Sequence, residues 1–275
     1  MTMADILYIN WDPSPILFHI GSFSLRWYSI FWLIAILAGS QVILKLYKLK
    51  KLDLNTYQSL FIYSILGIFI GARLGHCLFY DFDYYYKNPL EIILPIKFLK
   101  DGGWIFTGYA GLASHGGTLG LIIALILFCR KTKIKFLDML DMMGVAAPLA
   151  AGFIRIANLM NSEIIGIPTN VPWAFIFNKI DAVPRHPAQL YEAIAYFIIF
   201  IIISITYYQK RDNVKHGFYF GLCLTLIFSF RFFIEIMKEN QVLFENTLPI
   251  NMGQILSIPF IIIGLAFIMR KSTRK

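Results

Sequence analysis

Long uninterrupted runs of apolar residues alternate with short polar connections along almost the whole chain. A helix needs roughly 20 predominantly apolar residues to cross the hydrocarbon core of a bilayer. Seven runs meet that length: Leu25–Tyr47, Leu60–Tyr80, Gly111–Cys129, Phe136–Met160, Pro187–Tyr208, Gly217–Ile236 and Met252–Met269. The pattern predicts an all-α integral membrane protein, a single bundle of seven transmembrane helices in one polytopic domain over residues 1–275. Two connections are more than turns. Pro89–Leu99 is apolar, too short to span and interrupted by Pro95, which predicts a segment lying in the membrane interface. Asn161–Arg185 is a loop with three prolines, Pro168, Pro172 and Pro184, and loops of that length are functional or disordered.

Composition agrees with the pattern. Hydrophobic residues make up 58% of the 275 positions and charged ones 15%. Soluble domains are nearer 45–50% apolar and about 25% charged. The residues before the first run contain no Lys or Arg, so no cleavable targeting segment is expected. Cys77, Cys129 and Cys223 lie in apolar runs without paired spacing. They read as packing residues, and neither a disulfide, a metal nor a cofactor is expected.

The net charge of +9 would suit nucleic acid, but its distribution gives another reason for it. Lys45, Lys48, Lys50 and Lys51 follow the first run, Arg130, Lys131, Lys133 and Lys135 the third, and Lys210, Arg211 and Lys215 the fifth. Arg270, Lys271, Arg274 and Lys275 end the chain. All of these fall on one side of the membrane, against six on the other, and basic residues favour the cytoplasmic side. The expected orientation is N-terminus outside and C-terminus cytoplasmic, with no nucleic-acid partner.

That orientation gives depth to the polar residues inside the runs. Arg26 and Tyr28, Arg73 and His76, Ser114 and His115, Arg155 and Asn158, Gln189, Tyr191 and Glu192, Arg231 and Glu235, and Asn251 and Gln254 all fall in outer halves. The inner halves are nearly all aliphatic or aromatic. A central arginine costs about 2.5–3.5 kcal/mol on insertion scales, so several together require partners, water or an anionic ligand. Arg231 and Glu235 are spaced i,i+4 and can meet on one helix face. The inference is a polar cavity toward the outer leaflet with more cation than the protein neutralises. Some of these residues also have structural uses. Asp138 and Asp141 suit the N-terminus of the fourth run, and Arg26 can snorkel to the interface. Gly71, Gly75, Gly116, Gly117 and Gly120 suit close helix packing. Arg73 fits a structural or a functional role equally.

Several stretches together resemble the prolipoprotein diacylglyceryl transferase family. They are Leu25-Arg26-Trp27-Tyr28, Gly111-Leu112-Ala113-Ser114-His115-Gly116-Gly117, and Arg155 through Gly166 in the pattern RxxNxxNxExxG. Arg185-His186-Pro187-Ala188-Gln189-Leu190-Tyr191-Glu192, Arg231-x-x-x-Glu235 and Met252 through Ser257 complete the set. Ser162 stands where the family often has Gly, and the residues after Glu235 lack its frequent Arg/Gln-Pro-Asp pattern.

The resemblance implies transfer of diacylglyceryl from phosphatidylglycerol to the lipobox cysteine thiol of a bacterial prolipoprotein, at the cytoplasmic (inner) membrane, with glycerol 1-phosphate leaving. It implies a catalytic set of His115, Arg155 and Arg231, and substrate contacts from Arg155, Tyr28, Asn158, Glu163, Gly166 and Glu235. His115 is the candidate base for the thiol, and arginine suits a phosphate because its planar fork binds in a bidentate way. A membrane transporter and a non-catalytic anionic-lipid-binding protein are the alternatives. A transporter would place its site at the midplane between repeats, and the chain has no evident repeat. An intramembrane serine protease is disfavoured, because Ser114 and His115 are adjacent and cannot face one another on a helix.

Overall fold

The computed structural model describes residues 8–20, 23–99, 101–109, 111–239 and 250–270. Most of Met1–Asn10, together with Lys100, Lys271, Arg274 and Lys275, lies outside the described residues, so the reading of those positions ends with the sequence.

Among the described residues seven helices are long and apolar enough to cross a membrane. They are α1 (Trp27–Leu49), α2 (Leu54–Phe79), α5 (Ser114–Thr132), α6 (Phe136–Met160), α7 (Ala188–Lys210), α8 (Phe218–Ile234) and α9 (Met252–Met269). Two short helices, α3 (Phe82–Lys87) and α4 (Leu90–Ile93), occupy the connection after α2. The seven spans agree with the hydropathy pattern, with one instructive shift. Helix α2 starts at Leu54, six residues before its apolar run, because the Asp53 side chain accepts a hydrogen bond from Asn55 N. A cap lets the polar segment Asn55–Ser59 turn helical, and hydropathy has no access to that.

The connections depart from a purely helical picture. Strand β1 (Ile9–Trp11) pairs in parallel with β6 (Phe175–Phe177), which pairs antiparallel with β7 (Pro184–Arg185). A hairpin of β2 (Ile16–Ile20) and β3 (Phe23–Arg26) leads into α1. The expected interfacial segment 89–99 is not one element. It divides into α4 and β4 (Ile96–Phe98), which pairs with β5 (Trp104–Phe106). The 161–185 loop is likewise built rather than loose. Leu159, Ile165, Phe175 and Phe177 form a small buried core covered by Trp11 and Leu190. Trp11 Nε1 donates to Leu159 O at 2.9 Å and ties the N-terminal strand to the end of α6.

The chain forms two compact units, Tyr47–Met139, and Met1–Leu46 with Leu140–Lys275. In the first, α2 and α5 meet backbone to backbone. A Cβ on Gly71 would lie 2.4 Å from Gly116 O, and one on Gly120 would lie 2.0 Å from Gly67 O. The small-residue reading of Gly71, Gly75, Gly116 and Gly120 therefore holds, whereas the nearest atoms to a Cβ on Gly117 are 3.4 Å away. Arg73 belongs to this scaffold: buried, it donates to Glu91 O at 2.5 Å and Ile92 O at 3.1 Å, carbonyls of α4. Its guanidinium lies 4.8 Å from the Tyr85 ring centroid.

In the second unit Asp141 caps a helix other than its own. It is buried, and its carboxylate accepts from Gly217 N at 2.7 Å and Phe220 N at 3.0 Å, at the start of α8. An acidic side chain there satisfies orphan donors and complements the positive helix end.

Candidate active site

The larger unit gathers charge where α6 and α8 end and where α7 and α9 begin. Arg155 on α6 forms an ion pair with Glu192, the fifth residue of α7, its Nε 3.1 Å from Oε2, an oxygen that accepts no hydrogen bond among the described residues. Glu192 is fully buried, and its Oε1 accepts from Lys238 Nζ at 2.9 Å and Tyr196 Oη at 3.3 Å. Lys238 Nζ also donates to Glu235 Oε2 at 3.0 Å. Arg231, one helical turn before Glu235, has its Nε 3.9 Å from that same oxygen. This Nε is buried and makes no hydrogen bond among the described residues. Three cations thus face two carboxylates in one connected cluster. Burying charges is costly unless they are paired, and the surplus positive charge suits an anion.

Local sequence explains how each member is held. Gly253 leaves room for Glu235, since a Cβ there would come 2.3 Å from its carboxyl carbon. Asn251 and Gln254 form a capping box on α9. Their amide groups also reach back to α8, Asn251 Nδ2 to Glu235 O at 3.0 Å and Gln254 Nε2 to Phe232 O at 3.2 Å. The polar pair at the head of the last span thereby fixes the end of the helix that carries Arg231.

The RxxNxxNxExxG segment turns sharply after α6. Ser162 and Ile164 adopt left-handed φ values of 55° and 56° on either side of Glu163. Such a conformation is unusual for a residue with a Cβ, and more so for a β-branched one. The turn exposes Glu163 while two amides orient its carboxylate: Asn158 Nδ2 to Oε2 and Asn161 Nδ2 to Oε1, both at 3.0 Å. Gln189 Nε2 donates to Glu163 O. Gly166 lies between two backbone runs, where a Cβ would meet His186 O at 2.4 Å and Met237 O at 2.8 Å. Gly166 N donates to His186 O at 3.0 Å, Ile167 N to Met237 O at 3.0 Å and Glu239 N to Ile165 O at 3.2 Å. The signature segment is thus strapped to the residues around Lys238.

Neighbouring groups brace this strap. Arg185 pairs with Asp181 at 2.5 Å and Glu239 at 3.2 Å, and its Nη1 donates to Gly166 O. The hydrogen bond from Arg185 holds the Asp181 carboxyl below its ordinary range. Burial lowers the His186 imidazole, favouring the neutral ring that shares a 3.2 Å hydrogen bond with Tyr191 Oη.

The structure brings together Arg155, Arg231 and Glu235, and joins Asn158 to Glu163 and Gly166 to the strap. Tyr28 lies in the first turn of α1, half-buried, with its ring 6.5 Å from that of Trp32. It shares no hydrogen bond with the cluster among the described residues. His115, second residue of α5, belongs to the other unit and is exposed at a helix start whose N-cap, Ala113, makes no side-chain bond. Two members carry no assigned role in the sequence reading of the site. Glu192 was visible as an ionisable residue in an apolar run, the usual sign of a functional position. Lys238 is one of the six basic residues that the charge distribution assigns to connections on the other side, although its i,i+3 spacing from Glu235 is legible in the sequence.

Seven helices long and apolar enough to cross a membrane, with a cation-rich cluster of charges in the larger unit, define the class as a polytopic membrane protein. The sequence profile described as prolipoprotein diacylglyceryl transferase matches residues 15–270. A Bacteroides fragilis protein named phosphatidylglycerol–prolipoprotein diacylglyceryl transferase is 57% identical over 270 residues, covering 98% of each chain. Proteins of the same name from Chloroherpeton thalassium and Tolumonas auensis are 43% and 37% identical, each over 96% of this chain, covering 94% and 98% of their own lengths. The chain belongs to the prolipoprotein diacylglyceryl transferase family.

Proposed function

We propose that this protein transfers the diacylglyceryl group of phosphatidylglycerol to the lipobox cysteine thiol of a prolipoprotein in the bacterial inner membrane, at a site facing the outer leaflet. The observation that carries the reading is the cation excess of the Arg155–Glu192–Lys238–Glu235–Arg231 cluster, in which all but Lys238 belong to the stretches that resemble the family. A phospholipid donor reaches such a site from the bilayer itself, and its phosphate is the anion the cluster suits. That the chain acts as one polytopic domain belongs to the same reading.

In the reaction a carbon–sulfur bond forms to the terminal glycerol carbon of diacylglycerol as its bond to the phosphate oxygen breaks. The electron pair stays with the phosphate, which leaves as glycerol 1-phosphate. Arg155 binds the phosphate, and Arg231 stabilises the negative charge that grows on it. Preorganised cations act most strongly on developing charge where water is scarce. Glu235 orients Arg231. Tyr28, Asn158, Glu163 and Gly166 position the head group. A free thiol has a pKa near 8.5, so only a few per cent is thiolate at neutral pH. His115 accepts its proton, and a pH–rate profile unchanged in His115→Gln would exclude that role.

The test is incubation of the purified protein with phosphatidylglycerol and a one-cysteine lipobox peptide, read by mass spectrometry, with Arg155→Ala in parallel. A diacylglyceryl adduct formed by the native protein and lost in the variant is expected. Failure of the native protein to form adduct while it still binds the lipid would overturn the reading.

A further inference from the structure

The two arginines of the cluster are not held alike, and Lys238 accounts for the difference. Arg155 Nε lies 3.1 Å from Glu192, whereas Arg231 Nε is 3.9 Å from Glu235 Oε2 and has no hydrogen bond among the described residues. The oxygen that Arg231 would otherwise take is already bonded to Lys238 at 3.0 Å. The same ammonium, with a side chain only 4% exposed, bonds Glu192 at 2.9 Å. Lys238 is therefore the one member of the cluster bonded to both carboxylates. Its backbone is fixed too: Met237, Lys238 and Glu239 are strapped to Ile165, Gly166 and Ile167.

We propose that Lys238 is a positioning residue for the transfer reaction: it occupies the carboxylates of Glu192 and Glu235 and so keeps Arg231 available to the phosphate. The proposal rests on the phosphate-site reading above and assigns a role to a residue outside the proposed catalytic set. Without Lys238 the cluster would hold two cations against two carboxylates. Arg231, four residues before Glu235 on one helix face, would then close onto it. Such a cluster has neither surplus charge nor an uncommitted donor for an anion.

The probe is glycerol 1-phosphate, bound to the full-length protein in detergent micelles and followed by titration calorimetry, alongside kcat and KM for phosphatidylglycerol. Lys238→Met is expected to weaken glycerol 1-phosphate binding about tenfold or more, with a matching rise in KM. Lys238→Arg keeps the charge and is expected to bind within about threefold of the native protein. Adding Glu235→Gln to Lys238→Met restores one surplus positive charge and is expected to recover part of the lost affinity. Recovery by a second substitution in the same buried cluster is not what a packing role produces.

Native affinity in Lys238→Met overturns the proposal. So does a loss that neither Lys238→Arg nor the added Glu235→Gln relieves, with all three variants unfolding at lower temperature. Arg155→Ala separates this inference from its foundation. If Arg155→Ala loses affinity while Lys238→Met keeps it, only the role of Lys238 fails. If Arg155→Ala binds glycerol 1-phosphate normally, the phosphate site and the role of Lys238 fall together.

Discussion

The Nε of Arg155 lies 3.1 Å from Oε2 of Glu192, a carboxylate with no exposed surface on the neighbouring membrane-spanning helix. This contact joins the RxxNxxNxExxG segment at the end of α6 to the start of α7, and Lys238 extends it to the end of α8. Removing one partner from a buried ion pair leaves the others uncompensated.

Glu192→Gln keeps the volume but strands Arg155 and Lys238 without their shared counter-charge. A loss of about 3 kcal/mol of stability is expected, together with loss of transfer. Thermal unfolding in detergent reads the first and the peptide adduct assay the second. A Glu192→Gln protein as stable as the native one would mean that the cluster is held by other contacts.

The α2–α5 contact makes a sharper steric prediction. A Cβ at Gly120 would approach Gly67 O to 2.0 Å, so Gly120→Val forces the helices apart. It should cost about 2–3 kcal/mol. Gly117→Ala, whose added carbon would find its nearest neighbours at 3.4 Å, should remain within about 0.5 kcal/mol of the native protein. Comparing the two unfolding midpoints checks the prediction, and equal losses would contradict it.

Ser162 combines a left-handed φ of 55° with a buried hydroxyl that has no hydrogen-bond partner among the described residues. Both features are relieved in Ser162→Gly, since glycine adopts that conformation without steric cost. The substitution should stabilise the protein by about 1 kcal/mol. The turn that orients Glu163 would be kept, so transfer activity should be retained. A lowered midpoint would show that the Ser162 side chain contributes packing the turn needs.

The Asp181–Arg185 pair gives the protein an acid-sensitive brace. Its hydrogen bond from Arg185 holds the Asp181 carboxyl below the ordinary value, so the folded state binds fewer protons than the unfolded chain. The contribution is fully present above the ordinary carboxylate pKa of about 4 and is lost as pH falls through the depressed value. Asp181→Asn should therefore lower the midpoint at neutral pH and flatten its fall in acid. An acid limb identical in the two proteins would remove Asp181 from the account.

Hydrophobic runs fixed the seven spanning helices before any contact was known, because a bilayer core demands a minimum apolar length. Polar residues inside those runs identified Arg155, Arg231 and Glu235 by the cost of burying them. The i,i+4 spacing of the last two places them on one turn, as found. Motif order supplied the family, and Gly71, Gly116 and Gly120 announced close helix packing, which the structure makes between α2 and α5.

Tertiary structure decided the rest. Arg73 is scaffold because carbonyls of α4 come within its reach, a contact across 18 residues that spacing cannot reveal. Asp141 caps α8 from a distance of 76 residues, although its position suggested a cap for its own helix. Lys238 looked like a loop charge and proves to be the buried link between two carboxylates, Glu192 and Glu235, that stand 43 residues apart in the chain. Periodicity and propensity are local, so they place residues on elements and faces. Which charge neutralises which depends on distances of a few ångströms between elements remote in sequence, and only packing sets those.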